Sequence, residues 1–272
     1  MKSDRDTKLW RVTGPVLVYF LTALLVRTLV YFAVSIVEIK NLNVNAAFNG
    51  VLFARNLSGT MKQFMLIADG IAKVICIIIY IIIVKKQKSL TVNKPGKQLL
   101  WPVISVIFGA AAMEMFLDIL PIDGILGNYD SIVSSYVKNP IWLQLIILVI
   151  ITPVMEEILF RSIVYERIKA YYDPVIAAYL SGIIYGIYHM NLVQGIYGFF
   201  MGIFLAYVYE KYGGLTASLA VHVMAGLIIV ILKNSPVSMY MENHLLPAIL
   251  MILSGFVIFG ICIFKIHKVK KI

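Results

Sequence analysis

Apolar runs long enough to cross a bilayer recur along almost the whole chain, and no other feature constrains its fold as strongly. A hydrocarbon layer of about 30 Å needs roughly 20 helical residues to span it. Inside that layer the backbone must satisfy its own hydrogen bonds, so such runs become helices. Hydropathy predicts eight spans, at about 13–39, 65–84, 99–121, 140–165, 174–190, 192–210, 214–233 and 244–265. The fifth and sixth are separated by almost nothing around Asn191, so they form either two full crossings or a tight or re-entrant hairpin. The expected fold is all-α, a polytopic transmembrane helical bundle of about eight spans.

Composition closes off the other classes. Hydrophobic residues make up 61% of the 272 and charged residues only 14%, against about 25% charged in soluble domains. The net charge of +10 lies in short Lys and Arg clusters between apolar runs, not along one amphipathic face, so no nucleic-acid partner is expected. Topology accounts for it instead. With the N-terminus inside, seventeen cations fall on internal segments and five on external ones, which predicts both termini in the cytoplasm. The stretch 40–64 is too polar to span and is expected to lie as an amphipathic helix on the outer surface. Cys76 and Cys262 sit in apolar runs without CxxC spacing and read as small core residues. The first apolar run exceeds the roughly 7 to 15 residues of a signal h-region, so no cleavable signal is expected.

An ionisable side chain at mid-bilayer costs at least about 2.5 to 3.5 kcal/mol on insertion scales, so each one kept there is a candidate functional group. Glu156 and Glu157 lie deep in the fourth span, in TPVMEEILFRS. Helical neighbours point about 100° apart whereas residues four apart share a face, so Glu157 stacks with Arg161 and Glu156 faces elsewhere. Arg161 can hold Glu157 ionised, and Glu156, with no local cation, is left to accept a proton. His189, in YGIYHMN, and His222, in SLAVHVMAG, are the imidazoles that, with helix tilt, can meet Glu156 in one layer of the membrane. His244 and His267 fall in a loop and in the basic tail and are expected to be solvated. Asp69 and Lys73 are spaced to pair on the second span, and Glu114 and Asp118 share a face of the third, where Arg27 could neutralise one of them.

These residues resemble a known family, the CAAX prenyl protease and bacteriocin-processing (CPBP) family, also called the Abi family of intramembrane proteases. EEILFR, Glu156 to Arg161, looks like its EExxxR motif. The stretch from His189 to His222 looks like its second and third motifs with their linker. The likeness covers about 140–233, which divides the chain into N-terminal transmembrane helices (1–139), a catalytic core (140–233), and a last helix with a basic cytoplasmic tail (234–272). By that resemblance Glu156 activates a water that His189 helps to position, Glu157 and Arg161 support the site, and His222 stabilises the oxyanion. Two positions depart from the family pattern. Tyr185 stands where Phe is usual, and Gly226 where an Asn usually serves the oxyanion, a role that Asn191 could take over.

The resemblance implies an integral-membrane endopeptidase acting on a peptide or membrane-protein substrate, in the maturation of exported peptides or in bacteriocin self-immunity. The alternative is a weakly active or inactive scaffold that binds a membrane signalling partner such as a sensor kinase. Glu156, His189 and His222 could ligate Zn²⁺ with one open position, and a metal-free mechanism is equally compatible with these residue types. Ile- and Lys-rich usage points to a bacterial cell membrane.

Overall fold

The structure, a computed structural model, describes residues 2–41, 50–87, 97–119 and 135–269. Its helices are α1 (Lys2–Asn41), α2 (Gly50–Gln87), α3 (Leu100–Ile119), α4 (Ile141–Lys169), α5 (Pro174–Tyr188), α6 (Leu192–Lys211), α7 (Leu215–Lys233), α8 (Pro236–Asn243) and α9 (Leu245–Lys268). No strand occurs among the described residues. The expected helical membrane bundle is what these residues form.

Seven of the helices have the length and apolar character to cross a membrane. The expected fifth span is the exception, because α5 holds 15 residues. At about 1.5 Å per residue it reaches roughly 22 Å, short of a 30 Å hydrocarbon layer. Local chemistry sets both of its ends. Asp173 caps the start by accepting from the amides of Val175 and Ile176, and Pro174 occupies the first turn, where its missing N–H costs nothing. At the other end Met190 adopts a left-handed conformation (φ 53°), turning the chain directly into α6. The helices α5 and α6 then pack along each other as a hairpin.

The stretch 40–64 lies partly outside the described residues; from Gly50 onward it is helical and runs without a break into the second span. At the α6–α7 turn, Gly213 takes a φ of 70°, and the amide of Gly214 bonds back to the carbonyl of Tyr209 at 3.0 Å. Only glycine enters that left-handed region without a steric cost.

The centre of the bundle is α4. It packs against α1, α2, α5, α6 and α7, and 56% of its apolar window is buried, against 17% for the window of α1, which is therefore peripheral. Its winding is uneven. Leu145–Ile151 and Ile158–Tyr165 are π-helical and flank an α-helical segment, Thr152–Glu157, that carries Pro153 and both glutamates. Wide π segments are frequent beside functional groups. Around α4, α1 pairs with α2 and α3 with α9. Cys76 and Cys262 are buried and unbridged, in keeping with a packing role.

Candidate active site

Glu156, Glu157 and Arg161 are all buried within α4. The expected pairing along its surface is present, since Arg161 Nε lies 3.4 Å from Glu157 Oε2. Arg161 also donates from Nη2 to the carbonyl of Gly202 on α6 at 3.3 Å and stacks over the Tyr185 ring at 5.2 Å. Held also from α6 and by the Tyr185 ring, the guanidinium stands as the counter-ion of Glu157.

Glu157 in turn holds His222. Glu157 Oε1 accepts from His222 Nδ1 at 2.9 Å, which assigns the ring proton to Nδ1 and turns Nε2 towards Glu156, 3.6 Å from its Oε2. Glu156 faces away from Arg161, as helical geometry requires, and receives the Tyr185 hydroxyl at 2.5 Å. That hydroxyl oxygen stands 3.5 Å from His222 Nε2. A short path of polar atoms therefore links Glu156, Tyr185 and His222.

His189 completes the group from the end of α5. Its ring meets Tyr185 edge to face at 4.9 Å between centroids, and its Nε2 is buried without a hydrogen-bond partner. Glycine at 198 makes this placement possible. A Cβ there would sit 2.5 Å from His189 Cδ2 and 2.9 Å from Nε2, so α6 can lie against the imidazole only because that position has no side chain.

Glu156, Tyr185, His189 and His222 line one cavity of about 220 Å³. From these residues it extends past Thr152, Leu148 and Gly226 to Gln144 and Lys233, at the bundle end opposite Lys169 and Lys211. Glu157 stands behind His222 and is not part of the wall.

Several candidates take other places than the sequence suggested. The side chain of Asn191 is the N-cap of α6, accepting from the amides of Val193 (3.0 Å) and Gln194 (3.2 Å), and does not line the cavity. Arg27 bonds Asp69 at 2.6 Å rather than the acids of α3. Those acids, Glu114 and Asp118, pair instead with Lys233 at 2.9 and 2.5 Å, because α3 packs along α7. The Asp69–Lys73 pair forms at 3.3 Å. His244 and His267 are exposed. At Gly226 a Cβ would come 3.1 Å from the Leu148 carbonyl oxygen, so α7 lies close to α4 here and a side chain would be a tight fit.

Sequence reasoning missed Thr152, Tyr136 and Gly198. Thr152 was legible, lying one turn before Glu156 on the same face. The other two depend on which helices meet.

The donors present do not fit a zinc centre. Among the described residues no three His, Cys, Asp or Glu side chains converge on one point.

Comparison with known proteins returns the same region. Residues 138–228 match the family model described as "Type II CAAX prenyl endopeptidase Rce1-like". A curated Bacillus subtilis (strain 168) protein, "Putative membrane peptidase YdiL", is 28% identical over 102 residues, covering 38% of this chain and 42% of that protein. No solved structure matches. The matched segment contains both glutamates, Arg161 and both histidines, and over it this integral membrane protein is similar to the Rce1-like CAAX prenyl endopeptidases.

Proposed function

We propose that the protein is an intramembrane endopeptidase that hydrolyses a peptide bond of a peptide or membrane-protein substrate with a water activated by Glu156. What supports this most is the convergence of Glu156, Tyr185, His189 and His222 on one cavity.

The steps follow from the geometry. A water held between Glu156 and the unpartnered Nε2 of His189 gives its proton to Glu156 as its oxygen attacks the scissile carbonyl. The carbonyl π-electrons move onto oxygen, creating a tetrahedral oxyanion. Tyr185 links Glu156 to His222 Nε2, so as Glu156 passes the water's proton to the Tyr185 oxygen, Tyr185 passes its own hydrogen to Nε2, which then donates to the developing charge. The two transfers reverse as the oxyanion collapses, leaving the proton on Glu156. Glu156 then returns its proton to the departing amine, the C–N bond breaks, and the base is regenerated. Glu157 and Arg161 keep the His222 ring in place throughout. No step runs through a metal.

The experiment compares new protein N-termini in membranes of cells expressing wild type or Glu156→Gln at equal protein level. Termini present with wild type should vanish with the variant, and an unchanged set would overturn the peptidase reading. Gly226, which offers no side-chain donor, favours the scaffold alternative, and that reading predicts the unchanged set.

A further inference from the structure

The first three helices carry no family motif, yet they place a cation behind the wall of the cavity, on Thr152. Lys73, on α2, is buried, and its Nζ donates to Thr152 Oγ1 at 3.0 Å and to Asp69 Oδ2 at 3.3 Å. Asp69 also receives Arg27 Nη2 at 2.6 Å and the Tyr136 hydroxyl at 3.4 Å. Lys73 and Arg27 thus share one carboxylate among the described residues, and while Arg27 is partly exposed, the Lys73 ammonium is buried with that carboxylate only in part its own. Such a charge is costly and calls for a compensating anion.

Thr152 shows where that anion would lie. Its side chain lines the same cavity as Glu156, one turn away on the same face of α4. A threonine in a helix commonly spends its hydroxyl proton on the carbonyl four residues back. Here Oγ1 accepts from Lys73, and since an ammonium only donates, the hydroxyl hydrogen stays available to a further acceptor. Gly226, which also lines the cavity, adds no side chain to this part of the wall.

We infer that Thr152, oriented and polarised by Lys73, donates a hydrogen bond to the oxyanion formed on the scissile carbonyl, with Lys73 as its positioning residue. The inference rests on the peptidase reading above. It makes Thr152 the second donor beside His222, and it gives the N-terminal helices a part in the chemistry. The proton on Thr152 is not transferred; the hydroxyl only strengthens its bond as charge grows on the carbonyl oxygen, and Lys73 holds that hydroxyl in orientation.

The test measures initial rates of new N-terminus formation after induction, at matched protein level, in wild type, Glu156→Gln, Thr152→Val, Thr152→Ser, Lys73→Met and the Thr152→Val/Lys73→Met double variant. Valine has the shape of threonine, so folding should survive, and a thermal melt of each purified protein checks it. Thr152→Val should slow cleavage about 100-fold, the usual loss for one oxyanion donor, and Thr152→Ser should restore it to within about 3-fold of wild type. Lys73→Met should cost about 10-fold alone but under about 2-fold in the Thr152→Val background, because it acts through that hydroxyl. If Glu156→Gln abolishes cleavage while Thr152→Val cleaves at the wild-type rate, this inference fails and the peptidase reading stands. If Glu156→Gln changes nothing, both fail together.

Discussion

Replacing Gly198 by alanine should separate folding from chemistry. The added methyl would sit 2.5 Å from His189 Cδ2 and 2.9 Å from Nε2, with the Gly186 Cα a further 3.5 Å neighbour. Ordinary carbon contacts lie at about 3.5 to 4.0 Å, so one partner must retreat by about 1 Å. The backbone neighbour is already at an ordinary distance, and His189 Nε2 has no hydrogen bond to hold the ring, so the imidazole is what moves. A misplacement of about 1 Å in an active site can cost on the order of 100-fold in rate, equivalent to about 2.7 kcal/mol of barrier. Overpacking relieved by one side-chain rotation should cost stability only at the low end of the usual range, about 1 kcal/mol. The assay is the rate of substrate cleavage beside a thermal melt of purified protein, with Gly260→Ala as the control, since a Cβ there meets nothing within 4 Å. Wild-type cleavage by Gly198→Ala, with the variant folded, would refute the claim that His189 acts from the position seen here.

The remaining predictions concern the cap and the metal. Asn191→Ala should lower stability by about 1 kcal/mol, the usual loss for an N-cap, while cleavage stays within about 3-fold of wild type; a collapse of activity in a stable variant would return Asn191 to the site. Dialysis against a strong chelator should leave cleavage unchanged, and elemental analysis of purified active protein should find zinc well below one equivalent. Stoichiometric zinc that is lost together with activity in His189→Ala would overturn the metal-free mechanism.

How far the site could be read from the chain depends on the range of the interaction concerned. The Glu157–Arg161 pair and the opposite aim of Glu156 follow from helical periodicity within α4, and the structure shows both. The Asp69–Lys73 pair is local in the same way. Arg27 and Lys233 were not legible, because their partners lie on other helices and hydropathy says nothing about which helices touch. Asn191 looked like a spare polar donor until its place at the start of α6 showed that it serves two backbone amides. Likewise the fifth apolar run has the composition of a span, but Asp173 and Met190 bound a helix that is too short for one.

The sequence alone determined that this is a helical membrane protein, because apolar runs of this length have no other stable form in a bilayer or in water, and that its candidate catalytic groups lie in the fourth, fifth and seventh apolar runs. Tertiary structure decided which of those charges share a cavity, which are spent on caps and ion pairs, and that a lysine from α2 reaches a threonine beside Glu156. The physical reason is that periodicity fixes the direction of a side chain relative to its own helix, whereas the neighbour it meets depends on how residues such as Gly198 and Gly226 let helices approach.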